Sequence, residues 1–170
     1  EVDIPFNATL QILVENMGRI NYGAEIVRNT KGIISPVNIA GKEIVGEWSM
    51  TQFPMDNAPE LSKWGSASTS NDANAGKQLT GQPAVYEGTF TLPEVGDMFL
   101  DMEPWGKGIV FVNGHNIGRY WQVGPQQTLY VPGPWLKKGE NKVVVFEQLN
   151  DAPQQVLNSV KEPVLKKLKL

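Results

Sequence analysis

The chain has 170 residues, no cysteine and a net charge of −3. That length holds one domain, or one domain with a piece of another, and a hydrophobic content of 41 % excludes a disordered chain. The charge balance leaves no footprint for nucleic acid, no apolar run is long enough to span a bilayer, and the lack of cysteine excludes disulfides, thiol catalysis and thiolate metal sites. With 17 Gly and 12 Pro, turns and short strands are favoured over long helices. The chain opens at Glu1 with neither Met nor a leader, and so reads as a fragment or processed product.

In chain order, TLQILVE (9–15) sets Leu10, Ile12 and Val14 against polar neighbours and predicts a half-buried strand. Residues 32–55 predict two strands around the turn Ala40-Gly41-Lys42. The Ser-, Asn-, Gly- and Ala-rich stretch at 56–82 predicts a long polar surface loop. Strands follow at AVYEGTFTL, DMFLDM, GIVFVNG, QTLYV and NKVVVFEQL, with Gly, Pro or Asn in each gap. Asn113-Gly114 after GIVFV is a hairpin signal, because both residues tolerate the positive φ of a type I′ turn. LKKGENKV repeats the device with Gly139 and Asn141. The only helical pattern is a weak one at 153–161. Strands and turns alternating about every ten residues predict an all-β fold, an antiparallel β-sandwich of the jelly-roll type.

The chemical candidates cluster at 105–135. His115, the only histidine, stands one residue past the hairpin turn, with no neighbouring nucleophile or orienting carboxylate in a recognisable motif; this suits a hydrogen-bonding role at the turn edge and not a general base. Asp101 and Glu103 share one face of a strand and point in parallel, where a glycosidase pair converges from separate elements; a solvated face is the expected reading, and no catalytic residue is assigned. Trp105, Tyr120, Trp121 and Trp135 suit either a sugar platform or core and interface packing. Arg119 suits a carboxylate clamp or an interface pair, and Asn116 and Gln122 are the polar neighbours a sugar would need. If the strand alternates from Ile117, Arg119 and Trp121 share its face and Tyr120 takes the other, so only part of the cluster is available for contact. The acidic residues at 56, 60, 72, 94 and 97 are scattered, and no metal or cofactor is expected.

These residues carry a resemblance. LVENMGRINYG (13–23), KGIISPV (31–37), the EW…FPM segment (47–55), YEGTFTLP (86–93) and the long run from Trp105 to Glu147 resemble the C-terminal, galactose-binding-like β-region of family 35 β-galactosidases. The resemblance implies a hydrolase parent, retaining and exported (periplasmic, extracellular or lysosomal), whose catalytic (β/α)₈ barrel has no counterpart here. It further implies that residues 1–30 are the closing strand and tail of a preceding β-domain, and that 31–170 form the jelly roll. The expected partners are then the parent's barrel and neighbouring β-domain, with a weak carbohydrate ligand as the alternative and with neither nucleic acid nor membrane. On this reading NGHNIGRYW is a scaffold corner whose exposed residues dock onto the rest of the parent.

Overall fold

A computed structural model of the chain describes residues 5, 7–16, 18, 20–60, 81, 83–149 and 156–165. Contacts group the chain into two units, Glu1–Thr51 and Gln52–Leu170. The hairpin at 38–43 lies in the first of these units.

The first unit holds a 3-10 turn at Ala24–Arg28 and a short hairpin, β1 (Asn38–Ile39) and β2 (Lys42–Glu43). Ala40 (φ 49°) and Gly41 (φ 78°) make its turn, both with the positive φ of a type I′ turn. None of its described residues is buried. The strand expected at 9–15 does not form: Leu10, Ile12, Leu13 and Val14 are all exposed and have no ladder partner among the described residues. Leu13 breaks the alternation by putting a large apolar group on the polar face, and a strand without a sheet has nothing to satisfy its backbone.

The second unit is an antiparallel β-sandwich. A four-stranded sheet runs in the order β3 (Ala84–Leu92), β8 (Gly139–Glu147), β5 (Lys107–Val112), β6 (His115–Trp121). A three-stranded sheet runs β7 (Thr128–Val131), β4 (Met98–Asp101), β9 (Asn158–Val160). Between them lie Leu100, Leu129 and Val131 from one sheet and Val110, Val112, Tyr120, Val143 and Val145 from the other, with Trp105 and Met102. The run VVVF is apolar at consecutive positions because both its faces are covered: Val143 and Val145 enter the core, while Val144, Phe146 and the neighbouring Phe111 are buried outside that cluster.

Two local expectations change. LKKGENKV is not a second hairpin; it carries the chain from one sheet to the other, with Gly139 at φ 92°. The weak helical pattern at 153–161 ends in a strand, since 158–160 pair with β4 and the stretch 150–155 lies outside the described residues. Most of the polar segment, 61–80 and 82, lies outside them too; its described ends at 56–60 and 81 contain no strand.

Candidate functional site

The cluster at 105–135 is built around the hairpin β5–β6. Asn113 (φ 49°) and Gly114 (φ 86°) form its two-residue turn. The Asn113 side chain also ties the hairpin to the crossover before β8. Its Nδ2 donates to the Trp135 carbonyl and to Asn141 Oδ1, both at 2.8 Å, and its Oδ1 accepts from the Lys142 N–H at 2.9 Å. Asn141 is fully buried and closes the crossover on itself: it accepts from the Lys137 N–H (2.9 Å) and donates to the carbonyls of Lys137 (2.8 Å) and Gly139 (3.0 Å). The turn, the 3-10 turn Gly133–Trp135 and the start of β8 are thus one polar joint.

The joint positions His115. Its ring stacks on that of Trp135, centroids 4.6 Å apart and planes 12° off parallel. His115 is exposed at the head of β6.

Beyond His115 the strand does not alternate as expected. Val110 pairs with Gly118 and Phe111 with Asn116, so Ile117 is an extra residue in β6, a bulge. Gly118 takes φ 122° there, with Asn116 Oδ1 accepting its N–H at 2.9 Å. The bulge turns Ile117 onto the core, on the same side as Tyr120, and leaves Arg119 and Trp121 exposed on the other side.

Burial therefore divides the candidates. Trp105 is 3 % exposed and Tyr120 5 %; both are core, edge-on to one another at 6.4 Å, with Trp105 also edge-on to Tyr86 at 5.4 Å and its Nε1 donating to the Val156 carbonyl. Neither offers a face to a ligand or a partner. His115 and Trp135 are held by each other. Arg119, Trp121 and Asn116 remain outward; Asn116 Nδ2 reaches the Met55 carbonyl at 3.5 Å, and Lys107 Nζ lies 4.9 Å above the Trp121 ring. Asp101 and Glu103 are half-buried, and Asp101 Oδ1 accepts the Glu103 N–H at 3.0 Å. Among the described residues no three His, Asp or Glu side chains gather as a metal site would require.

Of two polar residues that carry the corner, Glu147 escapes the sequence reading and Asn141 is read there only as a turn residue. Glu147 is 1 % exposed, and its carboxylate accepts four hydrogen bonds: Oε2 from the Gly106 N–H (2.9 Å) and the Tyr120 hydroxyl (3.0 Å), Oε1 from the N–H groups of Lys107 (3.0 Å) and Leu149 (2.8 Å). It binds the entry of β5, the end of β6 and the end of β8. Asn141 is the other. The available signal is phase: Asn141, Val143, Val145 and Glu147 are spaced by two, so both polar residues lie on the core face. Elsewhere, Asp97 is held below the usual carboxylate range by the Gly133 N–H and then by the Tyr130 hydroxyl, fastening the loop before β4 to the turn after β7.

Burial, and after it the charge and hydrogen bond of Glu147, push the Tyr120 hydroxyl well above an ordinary tyrosine. A group raised in the folded state contributes stability that is whole below its unfolded pKa, about 10 for Tyr, and is lost as the pH climbs past it. Unfolding free energy measured in urea at stepped alkaline pH is expected to fall above pH ~10 by up to about 1.4 kcal/mol per pH unit from this residue. Tyr120→Phe removes that part of the slope; an unchanged slope in the variant would refute the assignment.

Comparison with known proteins agrees with this architecture. Residues 1–56 match the family model "Beta-galactosidase, first all-beta domain", and residues 83–141 match "Beta-galactosidase, galactose-binding domain". Among curated proteins, Beta-galactosidase 8 of Oryza sativa subsp. japonica is 39 % identical over 92 % of this chain and 27 % of its own length. Beta-galactosidase 17 of Arabidopsis thaliana is 42 % identical over 86 % of the chain and 22 % of its own length. Beta-galactosidase-1-like protein 2 of Homo sapiens is 38 % identical over 85 % and 22 %. The chain thus spans about a quarter of the length of the curated relatives it matches. Two domain matches in chain order, on an all-β sandwich, join it to the family 35 β-galactosidases as part of their non-catalytic β-region.

Proposed function

We propose that this chain is the supporting β-region of a β-galactoside hydrolase, docked on the parent's catalytic barrel and neighbouring β-domain, with residues 1–30 as the tail of that preceding domain. The observation that carries the reading is how burial sorts the aromatic cluster. Trp105 and Tyr120, two of the four aromatics that suit a sugar platform, are core. What is left outward on β6 is Arg119 beside Trp121, the composition of an interface hot spot. β6 is also an edge strand of its sheet, where a neighbouring domain can approach.

The alternative, a module for galactosyl glycans, has the exposed Trp121 ring and the name of the matched domain in its favour. Lys107 lies over one face of Trp121, which leaves a stacking sugar only the other. A domain's name describes its fold relatives and not its ligand.

The two readings part in one pair of measurements. Galactose or lactose titrated into the chain is expected to give no binding at millimolar concentration. The catalytic portion of a relative is expected to bind the chain in sedimentation, and Arg119→Ala to weaken that association about tenfold, as a hot-spot arginine does. Millimolar galactose binding that is lost in Trp121→Ala would overturn the docking reading in favour of the module.

A further inference from the structure

Asn113-Gly114 is the only Asn-Gly pair in the chain. It is the sequence most open to spontaneous deamidation, because glycine leaves its own backbone nitrogen unhindered. We propose that Asn113 is a modification site gated by folding: it deamidates when the β5–β6 corner opens, and the product cannot close the corner again.

The chemistry needs only water and base. The Gly114 backbone nitrogen, after giving up its proton, attacks Asn113 Cγ. The Cγ–Nδ2 bond breaks, ammonia leaves, and a five-membered succinimide remains. Water opens either of its C–N bonds to give aspartate or isoaspartate. One asparagine and one water become one acid and one ammonia, with no change of oxidation state.

In the folded chain the attack is blocked. Three hydrogen bonds hold the Asn113 amide: to the Trp135 carbonyl and Asn141 Oδ1 at 2.8 Å, and from the Lys142 N–H at 2.9 Å. Its own N–H donates to the Lys142 carbonyl at 2.9 Å, which fixes the turn. Turning Cγ onto the Gly114 nitrogen breaks the side-chain bonds together. Asn141 cannot follow, because it is buried and bound to Lys137 and Gly139.

The product is incompatible with the same joint. A carboxylate at 113 sets an acceptor against two acceptors, the Trp135 carbonyl and Asn141 Oδ1, where an amide donated. Isoaspartate lengthens the backbone of a two-residue turn and shifts the β5–β6 register. Transient opening thereby becomes permanent loss of the fold.

The full chain is incubated in mildly alkaline buffer at one temperature, with and without denaturant, and the tryptic peptide 108–119 is sequenced by fragmentation mass spectrometry, which separates Asn113 from Asn116. Deamidation at Asn113 is expected to be slower in the folded chain by about tenfold or more, since it must wait for local opening. On dilution from denaturant, the recovered folded fraction should fall in step with the fraction deamidated. Asn141→Ser, which shortens the brace, should raise the folded-state rate; the wild-type comparison stands alone if that variant does not fold. Equal rates with and without denaturant would overturn the proposal, as would deamidated chains that refold in undiminished yield.

Discussion

Gly108→Ala is expected to destabilise the second unit by about 3 kcal/mol or more, near the upper end for overpacking a core. Gly108 sits between two partners in the four-stranded sheet, Tyr120 on β6 and Glu147 on β8. A Cβ added there overlaps the Phe146 carbonyl oxygen, far inside the contact distance of the two atoms, and lies 2.9 Å from the Phe146 carbonyl carbon and 2.6 Å from the Tyr120 hydroxyl. Two of these atoms are backbone of the neighbouring strand, so the clash is relieved only by moving β5 away from β8 or by pushing Tyr120 off Glu147. Either opens the sheet where Gly108 is buried between β6 and β8. Gly88→Ala is the matched control. Its Cβ meets only Val143 Cγ1, at 3.8 Å, an ordinary contact, and alanine there should lie within about 1 kcal/mol of the wild type. Denaturant midpoints measured side by side decide the matter. Equal midpoints for the two variants would show that the close approach at Gly108 is not what fixes the strand spacing.

The sequence reveals most where one physical signal acts alone. β3, β4, β5, β7 and β8 are legible because alternation or an unbroken apolar run is bounded by turn residues, and the Asn113-Gly114 turn is legible because few residues accept two successive positive φ values. Legibility fails where a tertiary partner decides. Leu10 to Val14 carry a strand's composition but find no ladder among the described residues. The bulge at Ile117 leaves no mark in an alternation count, yet it reverses which face Ile117 takes and so determines which part of Arg119-Tyr120-Trp121 is exposed. His115 looks chemical because it is the only histidine; its stack on Trp135 depends on a crossover twenty residues away that brings the Trp135 carbonyl to Asn113. Glu147 looks like a solvated strand end, and only its phase with Val143 and Val145 points inward.

Glu147→Gln is the second large effect, expected to destabilise by about 3 kcal/mol although it changes one atom and no volume. The carboxylate accepts two hydrogen bonds at each oxygen, from three backbone N–H groups and one hydroxyl. An amide has one acceptor oxygen and one donor nitrogen. If its nitrogen takes the place of Oε1, it confronts the N–H groups of Lys107 and Leu149 together, and both are orphaned. If it takes the place of Oε2, the Tyr120 hydroxyl can turn and accept, but the Gly106 N–H still faces a donor. The better arrangement loses one buried backbone bond outright, a cost of about 1–3 kcal/mol, and weakens the others by removing the charge that shortens them. Glu147→Ala, which loses all four and leaves a cavity, should cost more, about 4–5 kcal/mol. Tyr120→Phe loses only the hydroxyl's bond and should cost about 1–2 kcal/mol. Because Tyr120 and Glu147 share that bond, the double variant Tyr120→Phe with Glu147→Gln should be less destabilised than the sum of the two single changes, with a coupling of about 1 kcal/mol. Equilibrium denaturation of the four proteins gives the cycle directly. A Glu147→Gln chain within about 0.5 kcal/mol of the wild type, the range of an ordinary surface change, would mean that this carboxylate does not hold the corner together.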